Sequence, residues 1–149
     1  MKAPRTLTAA ALAAAFAVAC SDSVSPDEAT VEDLAGIYNA TSVVFTPDAG
    51  GTAVDVIQLG YAYRLIISHE PSYTSQLTDP SEESEIETGA ITVSNGVITL
   101  TPFQGEPYTL EILSFSEEGM TLRDGDAEFD FDEDDVDEPA TVTVVLAKE

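Results

Sequence analysis

AITVSNGVITLT, residues 90–101, reads as a complete β-hairpin. Asn95 and Gly96 both tolerate positive φ, as the two central positions of a type I′ turn require. The flanking runs are β-branched and alternate with period two. Working outward, Gln104-Gly105, Glu118-Gly119 and Asp124-Gly125 separate further strands expected over 107–115, 120–123 and 127–132. In a last strand over 140–146, Ala140, Val142, Val144 and Leu146 share a face. Turns this short join antiparallel neighbours, so the second half is an up-and-down meander.

The first half carries the same period. A strand over 37–46 stops at Pro47-Asp48-Ala49-Gly50-Gly51, and runs over 54–59 and 61–68 follow, divided by Gly60, where the chain is expected to bend or bulge. Tyr61, Tyr63, Leu65 and Ile67 alternate with Ala62, Arg64 and Ile66, which makes one face strongly apolar. His69-Glu70-Pro71 breaks the pattern, 72–78 is a weaker strand, and 79–87 reads as an acidic loop. The fold class is therefore all-β, an antiparallel meander of eight to ten strands. Closure into a barrel removes the sheet edges that would otherwise pair with other chains, and a β-sandwich is the alternative.

Lys2 and Arg5 precede a run of 14 small and apolar residues, 6–19. At about 1.5 Å per residue it falls short of a hydrocarbon core about 30 Å thick, so the layout predicts a signal peptide rather than a membrane span. Ala17-Val18-Ala19-Cys20 resembles the lipobox of bacterial lipoproteins, although that family most often has Leu where Ala17 stands. The resemblance implies cleavage before Cys20 and lipid attachment to its sulfur, with Ser21 favouring the outer membrane, facing the periplasm or the exterior. Ala-Val-Ala also fits ordinary signal cleavage, which leaves Cys20 a free thiol; the position of the only cysteine favours lipidation. As the only cysteine it has no disulfide partner within the chain.

Three segments follow: a signal peptide over 1–19, a lipidated cysteine and acidic tether over 20–33, and a β domain over 34–149. In the tether, Ser25-Pro26-Asp27-Glu28 reads as a helix start that runs to about Leu34 before Gly36 stops it. Leu34-Ala35-Gly36-Ile37-Tyr38 resembles the Leu-x-Gly-x-aromatic opening of the small lipocalin-like domains of bacterial lipoproteins. Lipocalins proper carry Gly-x-Trp, and this chain has no Trp. The resemblance implies a lipocalin-like barrel that binds or carries a small apolar ligand.

Phe45, Tyr61, Tyr63, Leu65, Tyr108 and Leu110 are the candidate ligand-binding residues; they either line an apolar pocket or fill the core. A second candidate is the acidic stretch 124–138, in which ten of fifteen residues are Asp or Glu. There Ala127, Phe129 and Phe131 alternate with acids, and Asp130, Asp132 and Asp134 have the Asp-x-Asp-x-Asp spacing of calcium loops, with Asp137 and Glu138 to complete a shell. Asp135 stands where an EF-hand needs Gly, and Thr141 where it needs Glu, so this is not an EF-hand. A looser calcium site and a solvated acidic loop remain the two readings. Calcium is the one cofactor in question.

No catalytic residues are assigned and no enzyme is expected: His69 is the only histidine, and no Gly-rich phosphate loop follows a strand. Removal of 1–19 leaves Arg64, Arg123 and Lys148 against 28 acids, a surface that repels phosphate backbones and excludes nucleic acid as a partner. The expected partners are the membrane, through the lipid, and a small apolar ligand. The alternative is a non-enzymatic structural or interaction module whose acidic hairpin meets a basic protein or calcium.

Overall fold

The computed structural model describes residues 25–149; the signal peptide and Cys20 lie outside the described residues. Nine strands follow a 3₁₀ turn (Pro26–Glu28) and one short helix, α1 (Val31–Leu34). They are β1 (Gly36–Pro47), β2 (Val54–Asp55), β3 (Ala62–Ile67), β4 (Ser72–Thr78), β5 (Ser84–Ser94), β6 (Val97–Pro102), β7 (Tyr108–Ser116), β8 (Gly119–Phe129) and β9 (Glu138–Lys148). β3 to β9 pair in sequence order, all antiparallel, and β1 bonds β3 on one side and β9 on the other. The result is a closed eight-stranded antiparallel barrel with β2 as an extra strand on β1.

The hairpin of 90–101 forms as read, with Asn95 at φ 51 and Gly96 at φ 74. Several local expectations are corrected. The run 54–59 is not one strand: it pairs only at Val54 and Asp55 and then coils into a 3₁₀ helix, Val56–Leu59. The Asp55 side chain accepts the Ile57 N–H and starts that helix, and Gly60, at φ 97, ends it rather than bulging a strand. The acidic loop expected over 79–87 shrinks to 79–83, because β4 requires a partner along its full length and pairs Leu77 with Glu85 and Gln76 with Ile86. Asp124-Gly125 is not a turn. β8 continues through it with a register shift between Asp124 and Ala127, and the Asp124 carboxylate accepts the Asp126 N–H.

The packed domain also begins before residue 34. Ala29 and Leu34 are buried in the main core. The single helix expected up to Leu34 is instead two short turns, with Ala29 and Thr30 extended between them. Thr30 and Asp33 form a reciprocal capping box for α1: the Thr30 side chain accepts the Asp33 N–H, and the Asp33 carboxylate accepts the Thr30 N–H.

The strands run between two unlike ends. α1, the start of β1 and the turns 68–71, 95–96 and 117–118 gather at one; the loops 48–61, 79–83, 103–107 and 130–137 gather at the other. The first end is filled. Tyr38, Leu34, Leu65, Ile91, Ile98 and Leu100 are essentially inaccessible there, and each such apolar side chain is worth roughly 1.5–3 kcal/mol on burial. The Tyr38 hydroxyl donates to the Leu34 carbonyl at 2.7 Å, which ties α1 to the barrel floor.

Candidate functional site

The opposite half is not packed solid. A cavity of about 360 Å³ lies between β1, β3, β7, β8 and β9. Of the six residues read as candidates, Phe45, Tyr61, Tyr63, Tyr108 and Leu110 line it. Leu65 does not: it sits one inward step deeper, opposite Tyr38 and Ser75, with 1 % of its surface accessible, and belongs to the filled core. Val43, Val56, Leu77, Val142, Val144 and Phe129 complete the apolar wall. Phe129 stacks on Phe45 with ring centroids 4.6 Å apart and meets the edge of Phe131 at 4.9 Å.

β1 reaches this half by leaving β3. Its pairing with β3 ends at Asn39, a register shift between Ala40 and Ser42 bends it, and β2 with its 3₁₀ helix occupies the gap. Asp55 satisfies the backbone exposed there, accepting the Val43 N–H at 3.1 Å and the Ser42 hydroxyl at 3.0 Å. Burial pushes the Asp55 carboxyl up, but hydrogen bonds from Val43, Ser42, Ile57 and Gln58 outweigh it and hold the pKa below the usual carboxylate value. Val56 is thereby held against the cavity.

Asp124 puts one carboxylate in the chamber's own lining, and a polar cluster absent from the sequence expectation borders it through Tyr63 and Tyr108. Glu87 of β5 accepts the hydroxyls of Tyr73, at 2.6 Å, and Tyr108, at 2.7 Å, both on the same oxygen, Oε1. Burial pushes the Tyr73 and Tyr108 phenols upward, and their bonds to Glu87, which favour the protonated phenol, push further. Tyr63 is pushed up to about 12 by burial, with the Glu87 charge adding to it and Ser75 opposing. A second, larger depression of about 640 Å³ reaches Glu87 and shares Tyr63, Leu77 and Tyr108 with the first. Counting back by twos from the buried Ile91 through Gly89 puts Glu87 on the inner face. Its placement in a loop hid that signal.

In the loop between β8 and β9, carboxylate oxygens of Asp130, Asp132, Asp134 and Glu138 come within 4.8 Å of one another. Asp137 stands outside this group. The cluster is built partly by backbone donors: Asp130 accepts the N–H groups of Asp134 and Asp135, and Glu138 accepts that of Phe131. Asp135 takes the left-handed conformation, φ 66, at the position where a calcium loop would place Gly. The Asp132 pKa is raised, first by the charge of Asp134 and then by burial, Glu138 and Asp130. His69 is exposed in the turn between β3 and β4, at the filled end, away from both cavities.

No family model and no curated protein matches the chain. Among solved structures it is similar to that of an uncharacterized protein from Bacteroides eggerthii DSM 20697, with 13% sequence identity and a TM-score of 0.48 over 78% of this chain and 100% of that one. Among the described residues, no helix is long and apolar enough to cross a membrane.

Proposed function

We propose that this chain is a lipid-anchored bacterial envelope protein whose lipocalin-like barrel binds or carries a small apolar molecule. The observation that carries the reading is the chamber of about 360 Å³ behind Phe45, Tyr61, Tyr63, Tyr108 and Leu110. Protein interiors pack to crystal-like density, and apolar side chains recruited only for stability close on one another, as they do at the other end of this barrel. A space of this size lies within the range of about 300–1,000 Å³ that small-molecule sites occupy. The lipobox-like residues Ala17 to Cys20 support lipid anchoring, and Ser21 after them supports the outer membrane.

Titration of the purified protein with fluorescent apolar probes tests the barrel reading. Saturable binding is expected, weakened roughly tenfold or more by Val142→Phe, which puts a larger side chain into the chamber from its wall. No saturable binding of any probe rejects it. Mass spectrometry of the mature N-terminus tests the anchor, since an unmodified Cys20 makes the protein soluble and exported. The convergence of Asp130, Asp132, Asp134 and Glu138 favours a second reading, an interaction module stabilised by calcium. It requires a higher melting temperature in calcium than in chelator at equal ionic strength, and equal midpoints reject it.

A further inference from the structure

We infer that the barrel takes a cationic amphiphile, its apolar body in the chamber beside Tyr61 and Phe129 and a protonated amine on the Glu87 carboxylate. The inference deepens the ligand-binding reading above and rests on it. Glu87 is half-buried in the larger depression, next to the chamber through Tyr108, which lines both, yet both of its tyrosine donors bind Oε1. Among the described residues no protein donor reaches Oε2, although an ionised carboxylate has about four lone-pair sites to fill. A bound ammonium would add a charge-assisted bond at Oε2, whose strength is about twice that of a neutral one.

The wall is open at this level. β6 ends at Pro102, opposite Gly89, and the last bond on that side runs from the Phe103 N–H to the Thr88 carbonyl, so the stretch 84–87 of β5 pairs with β4 alone. The larger depression enters there, between Ile86 and Phe103, and ends on Glu87. Ile86 and Phe103 are large apolar side chains left 65% and 79% exposed at this entrance, a surface suited to an aliphatic guest on its way in.

Charge selects the head group. Loops 48–61, 79–83, 103–107 and 130–137 at this end carry twelve acids and no Lys, Arg or His. Each basic side chain of the described chain is engaged elsewhere. Arg64 pairs with Glu149, Arg123 with Glu111, and Lys148 lies over the Tyr38 ring at the filled end. A fatty acid would meet like charge both at the mouth and on the wall, whereas an amine would be steered in by the same field.

The test compares decylamine, decanol and decanoate, which share a tail, by calorimetric titration of the full mature protein. Decylamine is expected to bind about tenfold tighter than decanol, with decanoate weakest. High salt screens the mouth, yet the preference should survive it because the Glu87 contact is short and half-buried. Glu87→Gln keeps an acceptor for the two tyrosines and is expected to bring decylamine down to the affinity of decanol, leaving decanol unchanged. Asp124 is the rival anchor, a carboxylate in the chamber's own lining, but it already accepts the Asp126 N–H, so Asp124→Asn should keep the preference; its loss there overturns the assignment to Glu87. Equal binding of amine and alcohol by the wild type in high salt overturns the inference whether or not the Gln variant folds, as does an amine preference that survives Glu87→Gln; both leave an apolar site standing. Failure of all three probes to bind overturns the apolar site as well.

Discussion

Tyr38 joins α1 to the barrel through one hydroxyl, and burial raises its pKa from 10.0 to about 12. A tyrosine whose folded pKa exceeds its unfolded one contributes stability that is complete below pH 10 and is lost as pH rises toward 12, because the unfolded chain ionises first. Tyr63 behaves alike, and Tyr73 and Tyr108 shift in the same direction. The protein is therefore expected to lose stability between pH 10 and 12, with tyrosinate absorbance rising as the fold opens. Tyr38→Phe should cost about 1 kcal/mol at neutral pH, in urea unfolding, and flatten that alkaline slope. The sequence placed Tyr38 at the domain opening, but its bond to Leu34 depends on α1 folding back over the barrel floor.

β5 governs how the two halves differ. Its inner face runs from Ile91, fully buried, through Gly89 to Glu87, half-buried, so one strand changes from core to site within four residues. Gly89 has an identifiable reason: a Cβ there would collide with the Thr101 carbonyl and press on Pro102 Cα at 2.8 Å. Gly89→Ala is expected to destabilise by about 1–3 kcal/mol, read from a lower urea midpoint with unchanged m-value, because backbone rather than a mobile side chain must move. Gly125→Ala meets no atom within 4 Å and serves as the control, expected to leave the midpoint nearly unchanged. The hairpin after β5 was legible because Asn95-Gly96 is a local turn signal. The start of β5 was not, since Ser84 to Glu87 join the sheet through pairing with β4 rather than through their own propensity.

The whole molecule is polarised, with its cations at the filled end and outer wall and its acids crowded at the open end. At a formal net charge of −23 for the full chain, repulsion opposes folding, and it is concentrated in the 130–138 loop, where the neighbouring carboxylates raise the Asp132 pKa. Since the folded value is the higher one, the charged form of Asp132 opposes folding above the ordinary carboxylate pKa, and protonation or neutralisation relieves it. Asp132→Asn is expected to raise the melting temperature in low salt, and that gain should vanish in high sodium chloride, as the Debye length falls from about 30 Å to about 3 Å. An unchanged gain in high salt would point to packing instead.

The sequence alone determined the all-β class, the meander order and most of the inward-facing residues, because alternation and Asn-Gly or Glu-Gly turns act over a few neighbouring residues. It also placed Phe45, Tyr61, Tyr63, Tyr108 and Leu110 on one apolar surface. Only the tertiary structure decided that the meander closes between β1 and β9, that Leu65 is core while Tyr61 is wall, and that Glu87 meets Tyr73 and Tyr108. Those outcomes depend on contacts between residues far apart in the chain, such as Tyr38 with Lys148. The register that brings them together is set by the whole sheet at once.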